Sequence, residues 1–227
     1  MFRVPVSKHQ CLETGTLNML SKTIKNASDK FASLPGIGPR QAARIVSHLL
    51  KSPVDDAAAL AESIRELKKK IRACPICFSS YEPAQSDQKT CAFCADKKRA
   101  KQIICVVDKE TDMEPIEKTG LFKGVYHIVA EEKNYLDKSV APSVKRLLER
   151  ITFIKKQLPK DKTNEMEIIL ALDATVEGDA LDSYLEKLIK PLNVKISRLG
   201  RGLATGGELE YADRQTIANA LENRKSR

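Results

Sequence analysis

Cys74-Pro75-Ile76-Cys77 and Cys91-Ala92-Phe93-Cys94, two Cys-x-x-Cys pairs separated by 13 residues, divide this chain into segments of different character. Two thiolates on one tight knuckle, facing two on another, build the tetrahedral sulfur cage that zinc prefers. Two disulfides or a redox pair are the alternatives. Met1-Phe2-Arg3-Val4-Pro5-Val6-Ser7-Lys8 is too short and polar for a signal-peptide core, so a cytoplasmic, reducing compartment is expected. Such a compartment keeps thiols free for metal. With all four ligands supplied by cysteine no coordination position stays open, and the expected zinc is structural. Cys11 and Cys105 stand outside the pattern; Cys105, within an apolar run, reads as a small core residue.

The 227 residues suffice for one large or two small domains, and no apolar run approaches a membrane span. A soluble chain without a membrane partner is therefore expected. The formal net charge is +9, and its distribution matters more than its size. Residues 1–101 carry 18 Lys and Arg against 9 Asp and Glu, whereas the remainder carries 21 of each sign. An excess confined to the part before and around the cysteines points to a polyanion, of which nucleic acid is the usual one.

Upstream of the cysteines, Leu17, Leu20, Ile24, Ala27 and Phe31 recur at helical spacing and predict a helix over 16–33. Leu34-Pro35-Gly36-Ile37-Gly38-Pro39 follows, and a second helix is expected from Pro39 to about Leu50 with Ala42, Ile45, Val46 and Leu49 as its buried stripe. Arg40, Arg44, Ser47 and Lys51 share another face. Backbone amides at Gly36 and Gly38 can approach a phosphate closely, and the following helix aims its positive end the same way. Arg40, Arg44 and Lys51 then pair with neighbouring phosphates, so binding should be independent of sequence and sensitive to salt. The stretch resembles the helix-hairpin-helix motif, a recurrent non-specific DNA binder. A third helix is expected over Val54 to Ile71, with Asp55 and Asp56 at its start and Lys68-Lys69-Lys70 at its end.

Downstream, apolar runs at 103–108, 125–129, 167–173 and 194–199 read as strands, with helices over 143–158 and about 179–189. Alternation of strand and helix argues for a largely parallel sheet covered on both faces. Functional groups gather at the carboxyl ends of such strands, where Asp108 and Asp173 fall. The arrangement resembles the Toprim domain of topoisomerases, primases and some nucleases, which places a glutamate after its first strand and Asp-x-Asp after a later one to bind Mg²⁺. Here Asp108 stands at the glutamate position and Asp173-Ala174-Thr175 at the Asp-x-Asp, followed by Glu177-Gly178-Asp179. The resemblance implies at most a weak Mg²⁺ or partner site at Asp108, Asp173 and Glu177. The carboxylates are too few for two-metal phosphoryl chemistry. No enzymatic activity is expected; a Mg²⁺-dependent nuclease or topoisomerase-like enzyme is the alternative. His9, His48 and His127 do not supply the missing catalytic groups; His48, on the helix after the hairpin, and His127, within an apolar strand, read as structural.

The tail from Arg201 runs through Gly206-Gly207-Glu208-Leu209-Glu210-Tyr211-Ala212-Asp213 into a closing helix and lacks the Gly-Lys-Ser/Thr of a phosphate loop. In order along 16–224, the hairpin, four-cysteine site, degenerate Toprim, Val176-Glu177-Gly178-Asp179 and this tail resemble the RecR family of bacterial recombination mediators. The resemblance implies a non-catalytic DNA-binding mediator of recombinational DNA repair. Family members act as ring-shaped homotetramers with RecO and RecF to load RecA onto gapped DNA, and Arg40 and Arg44 match their DNA-contacting positions. The expected fold is multidomain α/β. It comprises an extension (1–15), a helical helix-hairpin-helix domain (16–72), a four-cysteine zinc finger (73–95), a Toprim-like mostly parallel domain (101–200) and a C-terminal loop and helix (201–227). The extension, Asp108 and a shortened 130–142 stretch depart from the family pattern.

Overall fold

In the computed structural model, which describes residues 21–129, 141–159 and 165–224, the first described helix is α1, Lys22–Ala32. The side chain of Ser21 caps it by accepting from Ile24 N at 3.3 Å. Leu17, Leu20, the 1–15 extension, His9, Cys11 and all but the last two positions of 130–142 lie outside the described residues. Residues 34–37 form a turn closed by Ile37 N donating to Leu34 O at 3.2 Å. Proline second and Gly36 third at φ +78° are the requirements of a type II turn. Gly38 then caps α2, Pro39–Lys51, with Pro39 in its first turn.

α1 and α2 pack on one another and bury Ala42 and Val46, while Ile24, Ala27, Phe31, Ile45 and Leu49 are only half-buried. α3, Val54–Lys70, opens on Asp55 and Asp56 and buries no residue. Leu60, Ile64 and Leu67 line one stripe of it and are exposed, as are Leu50 and Val54. The chain divides into two compact units at Lys68 and Lys69, so the cysteines fold with the α/β unit.

That second unit begins with a hairpin of β1, Arg72–Ala73, and β2, Ser80–Tyr81, which carries the first knuckle; α4, Ala92–Ala95, carries the second. The sheet has strands β3 (Ala100–Val107), β4 (Gly124–Ile128), β5 (Glu167–Ala171) and β6 (Lys195–Arg198), all parallel, in the order β4-β3-β5-β6. α5 (Met113–Lys118), α6 (Pro142–Gln157) and α7 (Val176–Ile189) complete the crossovers, and α8 (Arg214–Glu222) closes the tail.

Alternation along β3 divides the core. Ile104 and Val106 face α6 and α7, meeting Val144, Leu147, Ile151, Leu181 and Leu185. Cys105 and Val107 face the opposite way, with Tyr126, Ile128 and Met113, and the cover on that side includes Phe78 and Phe93 from the cysteine knuckles. The cysteine module thus forms part of the second layer over the sheet.

Several expected boundaries move for physical reasons. β3 starts at Ala100 because Ala100 N donates to Lys123 O at 2.9 Å, although polar Lys101 and Gln102 obscure the apolar run. α5 was not expected; Pro115 reads as a breaker but occupies the first turn, where its missing N–H costs nothing. α7 starts at Val176 rather than 179 because Thr175 Oγ1 accepts from Gly178 N at 3.1 Å.

Candidate nucleic-acid interface and metal centre

In the hairpin unit, Arg40, Arg44 and Lys51 stand exposed on α2, and no carboxylate pairs with them among the described residues. Glycine at the N-cap leaves the first-turn amides of α2 without a side-chain acceptor. An added Cβ at Gly36 or Gly38 would meet nothing within 4 Å. Gly36 is required by its positive φ, but Gly38 has an ordinary φ of −79°. Neither strain nor packing explains the second glycine; what it leaves is bare backbone at the start of the helix that carries Arg40, Arg44 and Lys51.

The four sulfurs of Cys74, Cys77, Cys91 and Cys94 lie within 4.8 Å of one another, and Cys77 Sγ is 3.5 Å from Cys91 Sγ. A tetrahedral zinc–thiolate centre with bonds of about 2.3 Å has sulfur–sulfur edges of about 3.8 Å, so the donor set fits. The thiols are not joined in disulfides. Hydrogen bonding among the four thiols ties their protonation together, holding Cys74 below its ordinary range and Cys77 and Cys94 above it. This cluster can hold a metal such as zinc, with Cys74, Cys77, Cys91 and Cys94 as ligands. Ligand geometry is set locally: Phe78 N donates to Cys74 O at 2.9 Å, and Ala95 N to Cys91 O at 3.0 Å.

The cage is fused to the sheet. Ile128 N on β4 donates to Cys77 O at 2.9 Å, and Ser80 N donates to Glu110 Oε1 at 2.5 Å. Phe78, at φ +64°, meets His127 edge-on at 5.8 Å, and Phe93 meets Tyr126 at 5.3 Å under the guanidinium of Arg99. His127 is buried and gives its Nε2 proton to Ser143 O at 2.9 Å; burial pushes its pKa down to about 4. Burial likewise pushes the Cys105 thiol up to about 12. Both are core groups.

At the carboxyl ends of β3 and β5 the chain supplies its own cation. Lys109 Nζ donates to Asp173 Oδ2 at 3.1 Å and lies 3.8 Å from Asp112 Oδ1. These contacts hold its ammonium above the ordinary range, first through Asp173, with Asp108 adding its charge. Asp108 and Asp173 thus flank a lysine. Glu177 stands exposed on the first turn of α7, and these three acids are not gathered into a cation-holding group; among the described residues only the four cysteines are. Thr175 spends its hydroxyl on capping α7, and Asp179 is bound to Arg201 of the tail at 2.7 Å. Arg201 holds the Asp179 carboxyl below its usual range. Lys109 was missed from sequence because its partner Asp173 lies 64 positions away.

Residues 24–68 match the family model described as "RecR, helix-hairpin-helix", residues 102–200 the "Toprim domain", and residues 202–225 "RecR, C-terminal". A basic hairpin unit joined to a cysteine-cage Toprim unit defines a protein of DNA recombination and repair. The chain is 41% identical over 202 residues to the "Recombination protein RecR" of Bifidobacterium longum subsp. infantis, covering 89% of this chain and 95% of that protein. It is 39% identical to the same-named protein of Desulfosudis oleivorans (89% and 96%) and 38% to that of Myxococcus xanthus (86% and 93%). The chain belongs to the RecR family.

Proposed function

We propose that this chain is a non-catalytic DNA-binding mediator of recombinational repair that captures DNA through the α2 face of its hairpin unit. The observation that carries the reading is the exposed, unpaired row Arg40, Arg44 and Lys51 along α2, a helix whose N-cap, Gly38, is required by neither strain nor packing. Phosphates reach the Gly38 and Arg40 amides, the positive end of α2 favours the anion, and the cations hold flanking phosphates. None of these contacts reads a base. The stripe of Leu60, Ile64 and Leu67, exposed in a unit with little core of its own, supports assembly of copies into the ring, a tetramer, that the family resemblance implies. In that reading the ring works in the cytoplasm with RecO and RecF to load RecA onto gapped DNA, and the cage holds structural zinc. The Lys109–Asp173 bridge supports absence of catalysis, because a divalent ion would have to displace a tethered ammonium.

Fluorescence anisotropy on two unrelated DNA sequences across a salt series tests the contact surface. Arg40→Ala with Arg44→Ala should weaken binding equally on both sequences. It should also flatten the log–log salt slope by about 1.4 to 1.8 per engaged protomer, at about 0.7–0.9 per phosphate contact. Unchanged affinity removes this surface from the mechanism. Incubating gapped DNA with Mg²⁺ or Mn²⁺ tests the rest: the strands should stay intact, and scission abolished by Asp173→Ala would make the protein an enzyme.

A further inference from the structure

Two cations reach the cysteine cage from the α/β layer, and neither has a carboxylate partner among the described residues. Lys101, on β3, donates from Nζ to the carbonyl oxygens of Phe93, Cys94 and Asp96 at 3.2, 2.9 and 2.6 Å. Arg150, on α6, is 8% exposed, and its Nη1 donates to Tyr126 O at 2.7 Å. With Cys94, Pro75 and Ile76, both line one groove of about 580 Å³.

A guanidinium cannot shed its proton, so a buried one needs a counter-charge. The surrounding protein offers carbonyl dipoles but no carboxylate: Glu149, on the same groove, is bound to Arg146 at 3.2 Å. A divalent ion held by four thiolates carries two negative charges, and burying them has the same need for compensation. Each half of the site supplies what the other lacks.

We infer that Lys101 and Arg150 are the counter-charges of the metal–tetrathiolate centre, so that metal affinity is set by β3 and α6 as well as by the four ligands. Lys101 also ties down the carbonyls at the end of the second knuckle. Arg150 is anchored on β4, the strand whose Ile128 N holds the first knuckle. Loading the cage and closing the sheet become one event, with the α/β core acting as the outer shell of the metal site. The inference rests on the cage holding a metal as proposed above.

Cobalt titration of the full chain, read by its thiolate charge-transfer and tetrahedral d–d bands, followed by zinc competition against a chromophoric chelator, tests it. Lys101→Met and Arg150→Met should each keep the tetrahedral cobalt spectrum and weaken zinc affinity about 10- to 100-fold. Arg146→Ala, which removes an exposed charge already paired with Glu149, should leave affinity within twofold. Arg150→Lys keeps the charge and should stay within about threefold of wild type. This variant decides the matter if the methionine substitutions fail to fold, since a large loss there would assign the effect to shape rather than charge and overturn the inference. Unaltered affinity in the two methionine variants, beside a wild type that binds cobalt, refutes the inference alone. A wild type that takes up no cobalt refutes the metal reading and the inference together.

Discussion

Replacing Gly178 with alanine drives a methyl group into the backbone of Asp173. A Cβ at this position falls 2.0 Å from Asp173 O and 3.0 Å from its carbonyl carbon, where ordinary contact begins at about 3.4 Å. The overlap with the oxygen is therefore about 1.4 Å. Neither colliding group is a side chain that can rotate away, so the first turn of α7 or the loop after β5 must move. Overpacking of this kind costs about 1–3 kcal/mol. Displacing α7 also strains the Thr175 cap, which is worth about 1 kcal/mol. Alanine recovers up to about 1 kcal/mol through better helix propensity. The net expectation is destabilisation by about 1–3 kcal/mol. For a unit of this size each kcal/mol lowers Tm by about 2–4 °C, so a fall of about 2–12 °C is expected. Thermal unfolding of the full chain followed by far-UV circular dichroism measures it. A Tm within about 1 °C of wild type would show that α7 does not close on Asp173 as described.

Three further outcomes follow from the same structure. If the cage holds zinc as proposed, a strong chelator should lower the Tm of wild type but leave Cys77→Ser, already without a complete cage, at its own reduced Tm; parallel melts with and without chelator check this. His127 has its pKa pushed down to about 4 by burial, below the ordinary 6.5. The unfolded chain therefore takes up the proton first, and stability should fall as pH drops from about 6.5 toward 4, at up to about 1.4 kcal/mol per pH unit. His127→Gln should remove that share of the slope in urea melts across this range. Lys109→Ala should free Asp173 and allow Mn²⁺ to bind in the millimolar range where wild type does not, as read by the loss of free-ion signal in electron paramagnetic resonance.

Much of the secondary structure was legible because its causes are local. The second helix was expected over Pro39 to about Leu50 and occupies Pro39–Lys51; the third was expected over Val54 to Ile71 and occupies Val54–Lys70. Proline in the first turn, paired acids and an apolar stripe act within a few residues, so spacing alone exposes them. The α5 helix escaped because its proline carries opposite meanings in a first turn and in a helix interior. The identities of these polar groups were readable too, but not their use: the Thr175 hydroxyl and the Asp179 and Asp173 carboxylates are engaged by a backbone amide, Arg201 and Lys109 respectively.

The sequence by itself determined the hairpin, the four-cysteine donor set, the confinement of excess positive charge to residues 1–101 and the parallel α/β class, since each follows from residue type and spacing along the chain. Only the tertiary structure decided that the cage belongs to the second unit, that Phe78 and Phe93 help to roof the sheet, and that Lys109 pairs with Asp173. Those contacts depend on the strand order β4-β3-β5-β6, which sets side by side chain ends that lie tens of residues apart. Spacing along a chain carries the period of a helix or a strand, whereas the meeting of distant loops is selected by how the whole sheet closes its core.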